Sequence, residues 1–246
     1  MGNVYVGDHD YIRKIDVRGQ VTNLFSTRDA PAKYYMAIDP TQGGLLYFSN
    51  PNEKRIYRLR QMTLTSSRSP RDLTSNYEVV AGSGRTCYPL QEDDCGDFGL
   101  ASEATLSAPK GLTFDKDGVL YFIDGNRIRN IHPRSSVIQT FAGSILVSGT
   151  RPLQCQGSMS LDQLELTFPT DIAASHVDGN LYVLDGDVII RIDVINRQAS
   201  LAAGIPLHCM RSVARKPDNR DARKVSLISP TSITVSPLDG AIYISE

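Results

Sequence analysis

Apolar residues along the chain gather in short runs of four to six, rich in β-branched and aromatic side chains, and glycine, aspartate or asparagine closes each run. This is the pattern of strands joined by tight turns, not of amphipathic helices, whose apolar positions recur every three to four residues. Leu120-Tyr121-Phe122, Leu181-Tyr182-Val183 and Ile242-Tyr243-Ile244 are such runs. Asp-Gly precedes each, at 117–118, 178–179 and 239–240. Asp-Gly favours a hairpin because glycine takes positive φ without steric cost. No convincing amphipathic helix is read, and Gln61 to Ser69, which is polar, is expected to be a loop.

The runs repeat in a fixed order. Ala-Gly recurs at 81–82, 142–143 and 203–204, 61 residues apart each time. Pro109, Pro169 and Pro230 open the units. A first strand follows at Gly111–Asp115, Asp171–Ser175 and Ser232–Ser236, and then the tyrosine strand, which ends in Asp124, Asp185 or Glu246. A third strand follows at Arg127–Ile131 and Ile189–Ile192, and a fourth at Val137–Phe141 and Gln198–Leu201. Tyr34–Asp39, Gly44–Tyr47, Arg55–Leu59 and Tyr77–Val80 fit the same order. Val4–Val6, Tyr11–Ile15 and Val21–Leu24 fit strands two to four. Four antiparallel strands per unit, repeated, predict an all-β propeller. The expected blades are 2–25 (partial), 34–82, 109–143, 169–204 and 230–246 (partial). That makes an incomplete ring, as in a fragment of a larger propeller.

Composition narrows the function classes. The 246 residues carry a net charge of -1, with 41% hydrophobic and 22% charged residues, which is ordinary globular composition. Mixed charge near neutrality argues against nucleic-acid or membrane-surface binding driven by bulk charge. The longest clean apolar run, Val119–Ile123, is far too short to span a bilayer, and no export signal is read after Met1.

Long insertions fall at one kind of position, between a fourth strand and the next first strand: Ser83–Leu106, Ser144–Leu166 and Ile205–Leu227. Propeller geometry would crowd them on one face. All four cysteines lie in them. Four cysteines are consistent either with two disulfides or with four idle thiols. If oxidised, Cys87–Cys95 would close a hairpin within the first insertion, and Cys155–Cys209 would join the second to the third. Glu92, Asp93, Arg151, Arg211 and Arg215 are the interaction candidates on these loops. The basic run Arg211, Arg215, Lys216, Arg220, Arg223 and Lys224, broken by Asp218 and Asp221, fits a solvated loop or a contact for an acidic partner or a glycosaminoglycan.

The repeat resembles the NHL type. Val79-Val80-Ala81-Gly82, Cys95-Gly96-Asp97, Glu103-Ala104-Thr105-Leu106, Leu120-Tyr121-Phe122-Ile123-Asp124-Gly125, Phe168-Pro169-Thr170-Asp171-Ile172 and His208-Cys209 more specifically resemble the NHL propeller of teneurins. The likeness covers nearly the whole chain and departs at Phe48-Ser49-Asn50, where Val-Ser-Asp is more usual. The resemblance implies a disulfide-competent extracellular setting, and hence both bridges. It implies cell adhesion and signalling in neuronal connectivity, by a membrane-anchored, dimeric parent. That parent also bears EGF-like repeats, a YD-repeat shell and a toxin-like C-terminal domain. The implied partners are a second teneurin-like molecule and, through the full protein, a latrophilin-type receptor.

Two alternatives remain, a propeller enzyme of lyase or hydrolase type and an RNA-binding NHL propeller. The chemistry for either is thin. His9 and His132 follow strands, His176 sits in a turn and His208 in an insertion, so three are not expected to meet at one metal. Asp39, Asp115 and Asp171 could ring the channel as calcium ligands, but aspartates at such positions usually cap turns. Asp124 and Asp185 are read as turn residues too. The nameable channel residues, Gly111, Thr113, Ala173 and Thr234, are small or apolar. No catalytic residue, cofactor, metal ligand or nucleic-acid contact is assigned.

Overall fold

The computed structural model describes residues 2–8, 11–26, 33–41, 43–60, 77–88, 94–143, 150–210 and 221–246. The expected loop at 61–69 lies outside these residues. Strands β1 (Val4–Gly7), β2 (Tyr11–Ile15) and β3 (Val21–Ser26) form the first sheet. The second contains β4 (Tyr35–Ile38), β5 (Leu46–Asn50), β6 (Arg55–Leu59) and β7 (Tyr77–Ala81). The third contains β8 (Pro109–Phe114), β9 (Leu120–Asp124), β10 (Arg127–Ile131) and β11 (Ile138–Ala142). The fourth takes β12 (Ser158–Ser160), β13 (Pro169–Ala174), β14 (Leu181–Asp185), β15 (Val188–Asp193) and β16 (Gln198–Gly204). The last pairs β17 (Ser232–Val235) with β18 (Ile242–Ser245). These named strands pair antiparallel, as propeller blades do.

The second strands are longer than the apolar pattern suggests. β5, β9 and β14 are buried along their whole length, including the polar ends Asn50, Asp124 and Asp185. A strand in the middle of a blade is covered on both faces by its neighbours, so polar residues there must find partners inside.

Apolar side chains fill the seams between successive blades. Tyr47 and Ile56 of the second blade meet Leu112, Phe114 and Phe122 of the third. Tyr47 packs edge-on to Phe114 at 4.8 Å between ring centroids. Ile123 and Ile128 of the third blade meet Ile172, Val183 and Ile190 of the fourth. The inner strands β4, β8, β13 and β17 touch in turn around the channel. Hydrogen bonds join successive blades here: Ser49 Oγ of β5 donates to Lys110 O of β8 at 2.8 Å, Ala174 N–H donates to Thr113 Oγ1 at 3.0 Å, and Ile233 N–H donates to Asp171 at 3.1 Å.

The recurrent Ala-Gly has a geometric cause. Ile56 faces Ala81, Ile128 faces Ala142 and Ile189 faces Ala203, and a bulge follows each of these pairs. The next residue turns back over the hairpin joining strands two and three. Gly82, Gly143 and Gly204 sit there at φ of 92°, 78° and 85°. A Cβ would lie 2.1 Å from Lys54 O, 2.5 Å from Asn126 O or 2.4 Å from Asp187 O. Backbone carbonyls cannot step aside as a flexible side chain can.

Gly143→Ala is therefore expected to cost about 3 kcal/mol or more, combining left-handed strain with the clash. Gly179→Ala, at φ 73° with nothing within 4 Å of the added carbon, is expected to cost only about 1 kcal/mol. Urea midpoints of the two variants test this. Equal losses would mean that the carbonyl contact has no role.

Candidate functional site

The inserted segments do not simply crowd one face. Each of the first two runs down the outer edge of the blade it precedes and returns through the seam. In the first, Phe98 N–H donates to Ile138 O, Ile138 N–H to Gly99 O and Ala101 N–H to Ser136 O, which covers the outer edge of β11. In the second, β12 pairs with β16, Ser158 opposite Ser200 and Ser160 opposite Gln198. The returning chain buries Ala101, Ala104 and Leu106 in one seam, and Leu161, Leu164 and Leu166 in the next. An open strand edge invites association, and these segments cover two of them. The expectation of loops crowded on one rim fails for these two because their own apolar residues draw them into the seams.

Asp124 and Asp185 are not turn residues. Each reaches back to the connection entering its own blade. Asp124 accepts from the Ser107 and Ala108 amides at 2.7 and 2.9 Å, and Asp185 from Thr167 at 3.1 Å and Phe168 at 2.5 Å. Glu246 receives the Ile228 amide at 2.9 Å in the same manner. Burial pushes the Asp185 carboxyl above the usual carboxylate range, and the two amides oppose that shift. Asp124 has a second duty. Its other oxygen lies 3.4 Å from Arg127 Nη2 and 3.4 Å from Arg129 Nη1. Arg129, fully buried, also donates to Asp97 at 2.6 Å and to the Thr105 and Cys95 carbonyls. Arg127 donates to Cys87 Sγ at 3.2 Å, and burial lowers its pKa. The guanidinium groups thus hold the first inserted segment from beneath. The Arg127–Ile131 run carried no hint of this, since it reads as an ordinary strand with charged outer positions.

Both cysteine pairs are joined, Cys87 to Cys95 and Cys155 to Cys209, with Cα separations of 5.5 and 5.6 Å. The second bridge ties the second inserted segment to the third, where the 3-10 turn Leu207–Cys209 presents His208 Nε2 to Leu153 O at 3.0 Å. Chain entropy makes a bridge spanning 54 residues more constraining than one spanning 8, by about 1.7 kcal/mol. Cys155, His208 and Cys209 are grouped closely enough to hold a metal ion, but both sulfurs are committed to the bridge. His176 lies apart, bonded to Phe114 O at 3.1 Å. His132 follows β10 and is exposed, and His9 lies outside the described residues.

The channel is more polar than expected. Beside Thr113, Ala173 and Thr234 its wall of inner strands includes Lys33, Asp171 and His176, around a cavity of about 440 Å³. These groups are already engaged. Asp171 accepts from Ser232 Oγ at 2.6 Å and from the Ile172 and Ile233 amides, and burial raises its pKa against those bonds. Lys33 donates to Thr231 O at 3.3 Å and lies over the Tyr35 ring. Asp39 accepts from Thr41, and Asp115 from the Asp117 and Val119 amides, so both cap turns. Asp171 instead ties β13 to β17. Gly111 faces it because a Cβ there would lie 2.4 Å from the Asp171 carboxylate.

Of the interaction candidates, Arg151 is exposed and donates to Gln163 Oε1 at 3.0 Å. Glu92, Asp93, Arg211 and Arg215 lie outside the described residues. Sequence reasoning missed the apolar groups on the same segments. Tyr88, Phe98, Phe168 and Leu207 are exposed by 58, 78, 69 and 82%. Their signal was available, Tyr88, Phe98 and Leu207 as large apolar residues inside insertions that the repeat does not require and Phe168 as one just past an insertion.

Asp124→Ala is expected to cost about 3–5 kcal/mol, because it strips two buried guanidinium groups of a counter-charge and two amides of an acceptor. Arg197→Ala, which breaks an exposed pair with Asp162, is expected to cost under about 1 kcal/mol. Denaturant unfolding of both variants checks the contrast. A loss below about 1 kcal/mol for Asp124→Ala would show that the carboxylate does not hold the seam.

Comparison with known proteins places this architecture. Teneurin-3 of Mus musculus is 42% identical over 253 residues, covering 100% of this chain and 9% of the relative. Teneurin-1 of Homo sapiens is 38% identical over 247 residues, again with 100% and 9% coverage. The chain thus spans about a tenth of the length of these relatives. Among solved structures, a protein of unknown function from Bacteroides thetaiotaomicron superposes with a TM-score of 0.62 at 17% identity, covering 99% of this chain and 54% of that one. A gluconolactonase from Xanthomonas campestris gives 0.56 at 15% identity, with 97% and 63% coverage. At such identities these two show the propeller fold alone. The teneurin NHL domain profile matches residues 1–246, so with relatives near 40% identity along its whole length the chain belongs to the teneurin NHL-domain family.

Proposed function

We propose that this chain is a non-enzymatic contact module, the extracellular propeller of a membrane-anchored teneurin that joins cells by binding a second teneurin-like molecule. The observation that supports this reading most directly is the set of large apolar side chains held in the open on braced segments. Phe98, Phe168 and Leu207 project from chain that is paired to a blade edge, bonded by a buried carboxylate or clasped by a disulfide. Pinned apolar groups lose little conformational entropy when covered, which is the property of an interface anchor. The two bridges suit an oxidising compartment. No helix among the described residues is long and apolar enough to cross a membrane. Latrophilin-type binding would involve the full protein.

The enzyme reading has the lactonase-like architecture in its favour, but the chain's own residues give it little. Lys33, Asp171 and His176 face the channel already bonded to groups of neighbouring blades. The RNA-binding reading sits poorly with disulfide-bonded segments.

The test is aggregation of suspended cells displaying the full-length protein. Phe168→Ser combined with Leu207→Ser is expected to reduce aggregation at least about tenfold, as loss of an interface anchor does. Arg151→Glu should reduce it less. Lys116→Glu and Arg134→Glu, on the turns of the opposite face, should leave it unchanged. Asp178 is unsuited as a control there, since Tyr182 donates to it at 2.8 Å. Loss from the opposite-face changes alone would place the contact on the wrong side in this proposal.

A further inference from the structure

The seam between the second and third blades lacks a charge that the next seam has. Asp124 stands opposite Arg127 across the hairpin of the third blade, and the two form a buried ion pair. Asn50 stands opposite Arg55 at the same place in the second blade. Asn50 has no charge to give, and its Oδ1 accepts from the Asn52 and Glu53 amides of its own turn, both at 3.1 Å. Arg55 donates from Nη2 to Ser83 O at 3.1 Å and interacts with the Tyr57 hydroxyl, and its Nε, like those of Arg127 and Arg129, is buried with no hydrogen-bond partner. Among the described residues neither Arg55 nor Arg85 forms an ion pair.

These groups line one place. A shallow notch of about 570 Å³ opens where the first inserted segment leaves β7, walled by Arg55, Arg85, Ser83, Ser102 and Val79, with Glu103 on its rim. Ser83 Oγ is also buried without a partner. Two guanidinium groups against one carboxylate leave the notch with a net charge of about +1. Gly84 keeps it open over Arg55, since a Cβ there would lie 3.0 Å from the guanidinium.

A half-buried arginine without a counter-ion, next to a second arginine and two hydroxyls, is an arrangement that an oxyanion completes. We propose that this notch binds a tetrahedral oxyanion, either a free phosphate or sulfate or the sulfate ester of a glycan. Arg55 and Arg85 would grip the anion, and the serine hydroxyls would donate to its remaining oxygens. The substitution of Asn50 for the usual acid exposes the site, by leaving Arg55 for an external partner. This goes beyond the adhesive contact proposed above and does not depend on it.

The experiment is a low-salt NMR titration of the full chain, following the arginine Nε–H signals, with sodium sulfate, sodium phosphate and a sulfated disaccharide in separate arms. Saturable shifts at Arg55 are expected. Arg85→Gln, a change at an exposed residue, should weaken them about tenfold, the loss of roughly one charge-assisted hydrogen bond. Asn50→Asp should abolish them by supplying the internal counter-charge, while the thermal midpoint holds or rises. The reference variant Lys116→Gln should bind as the parent does. Tighter binding of the disaccharide than of free sulfate assigns the site to a glycan ester, and the reverse assigns it to a free anion. Either supports the site. Linear, unsaturated shifts in every arm would mean an adventitious ion only, and would overturn the proposal. So would saturable binding that survives both Arg85→Gln and Asn50→Asp.

Discussion

The third and fourth blades each depend on one carboxylate at the end of the second strand. A chain leaving one sheet and entering the next must bring backbone amides into a seam from which water is excluded. Each amide buried without an acceptor costs roughly 1–3 kcal/mol. Asp124 and Asp185 accept two such amides each, and in doing so fix where the next inner strand starts. The inner strands then line the channel in register with one another, and the seams fill with apolar side chains behind them. The inserted segments can be long because their returning ends are set by such contacts.

The third blade adds a buried cationic layer to this plan. Arg127 and Arg129 would be a liability in an apolar seam without Asp124, Asp97 and the carbonyls of the inserted segment. The arrangement couples folding of the blade to folding of the segment, because each arginine gains part of its bonding only when the segment is in place. A buried pair of this kind adds little net stability over apolar packing, but it penalises any misplacement of the segment heavily.

The repeat made the architecture legible. Strand order, the Asp-Gly turns and the 61-residue period of Ala-Gly all follow from backbone geometry, which demands particular residues at particular φ. The inserted segments were less legible, since their path depends on where Leu106, Leu161 and Leu166 find a seam to fill, and that is a tertiary fact. Asp124 and Asp185 were seen and misread, because an aspartate after a strand looks the same whether it caps its own turn or reaches back to residues seventeen positions earlier. The arginine layer was invisible for a similar reason. Arg129 and Arg191 occupy similar strands, yet one is fully buried and the other exposed. Asn50 shows the opposite case, a departure visible in the sequence whose effect on Arg55 needed coordinates.

The clasp between Cys155 and Cys209 has a mechanical meaning for a domain that holds cells together. Tension entering the chain at the second inserted segment passes through the sulfur–sulfur bond and leaves at the third. The 54-residue span between them, which is nearly the whole fourth blade, is taken out of the load path. Fully drawn out, that span would lengthen the molecule by roughly 180 Å. With the bond intact this slack cannot be released, so a pull that tears neighbouring blades open leaves the fourth one folded and the tether short.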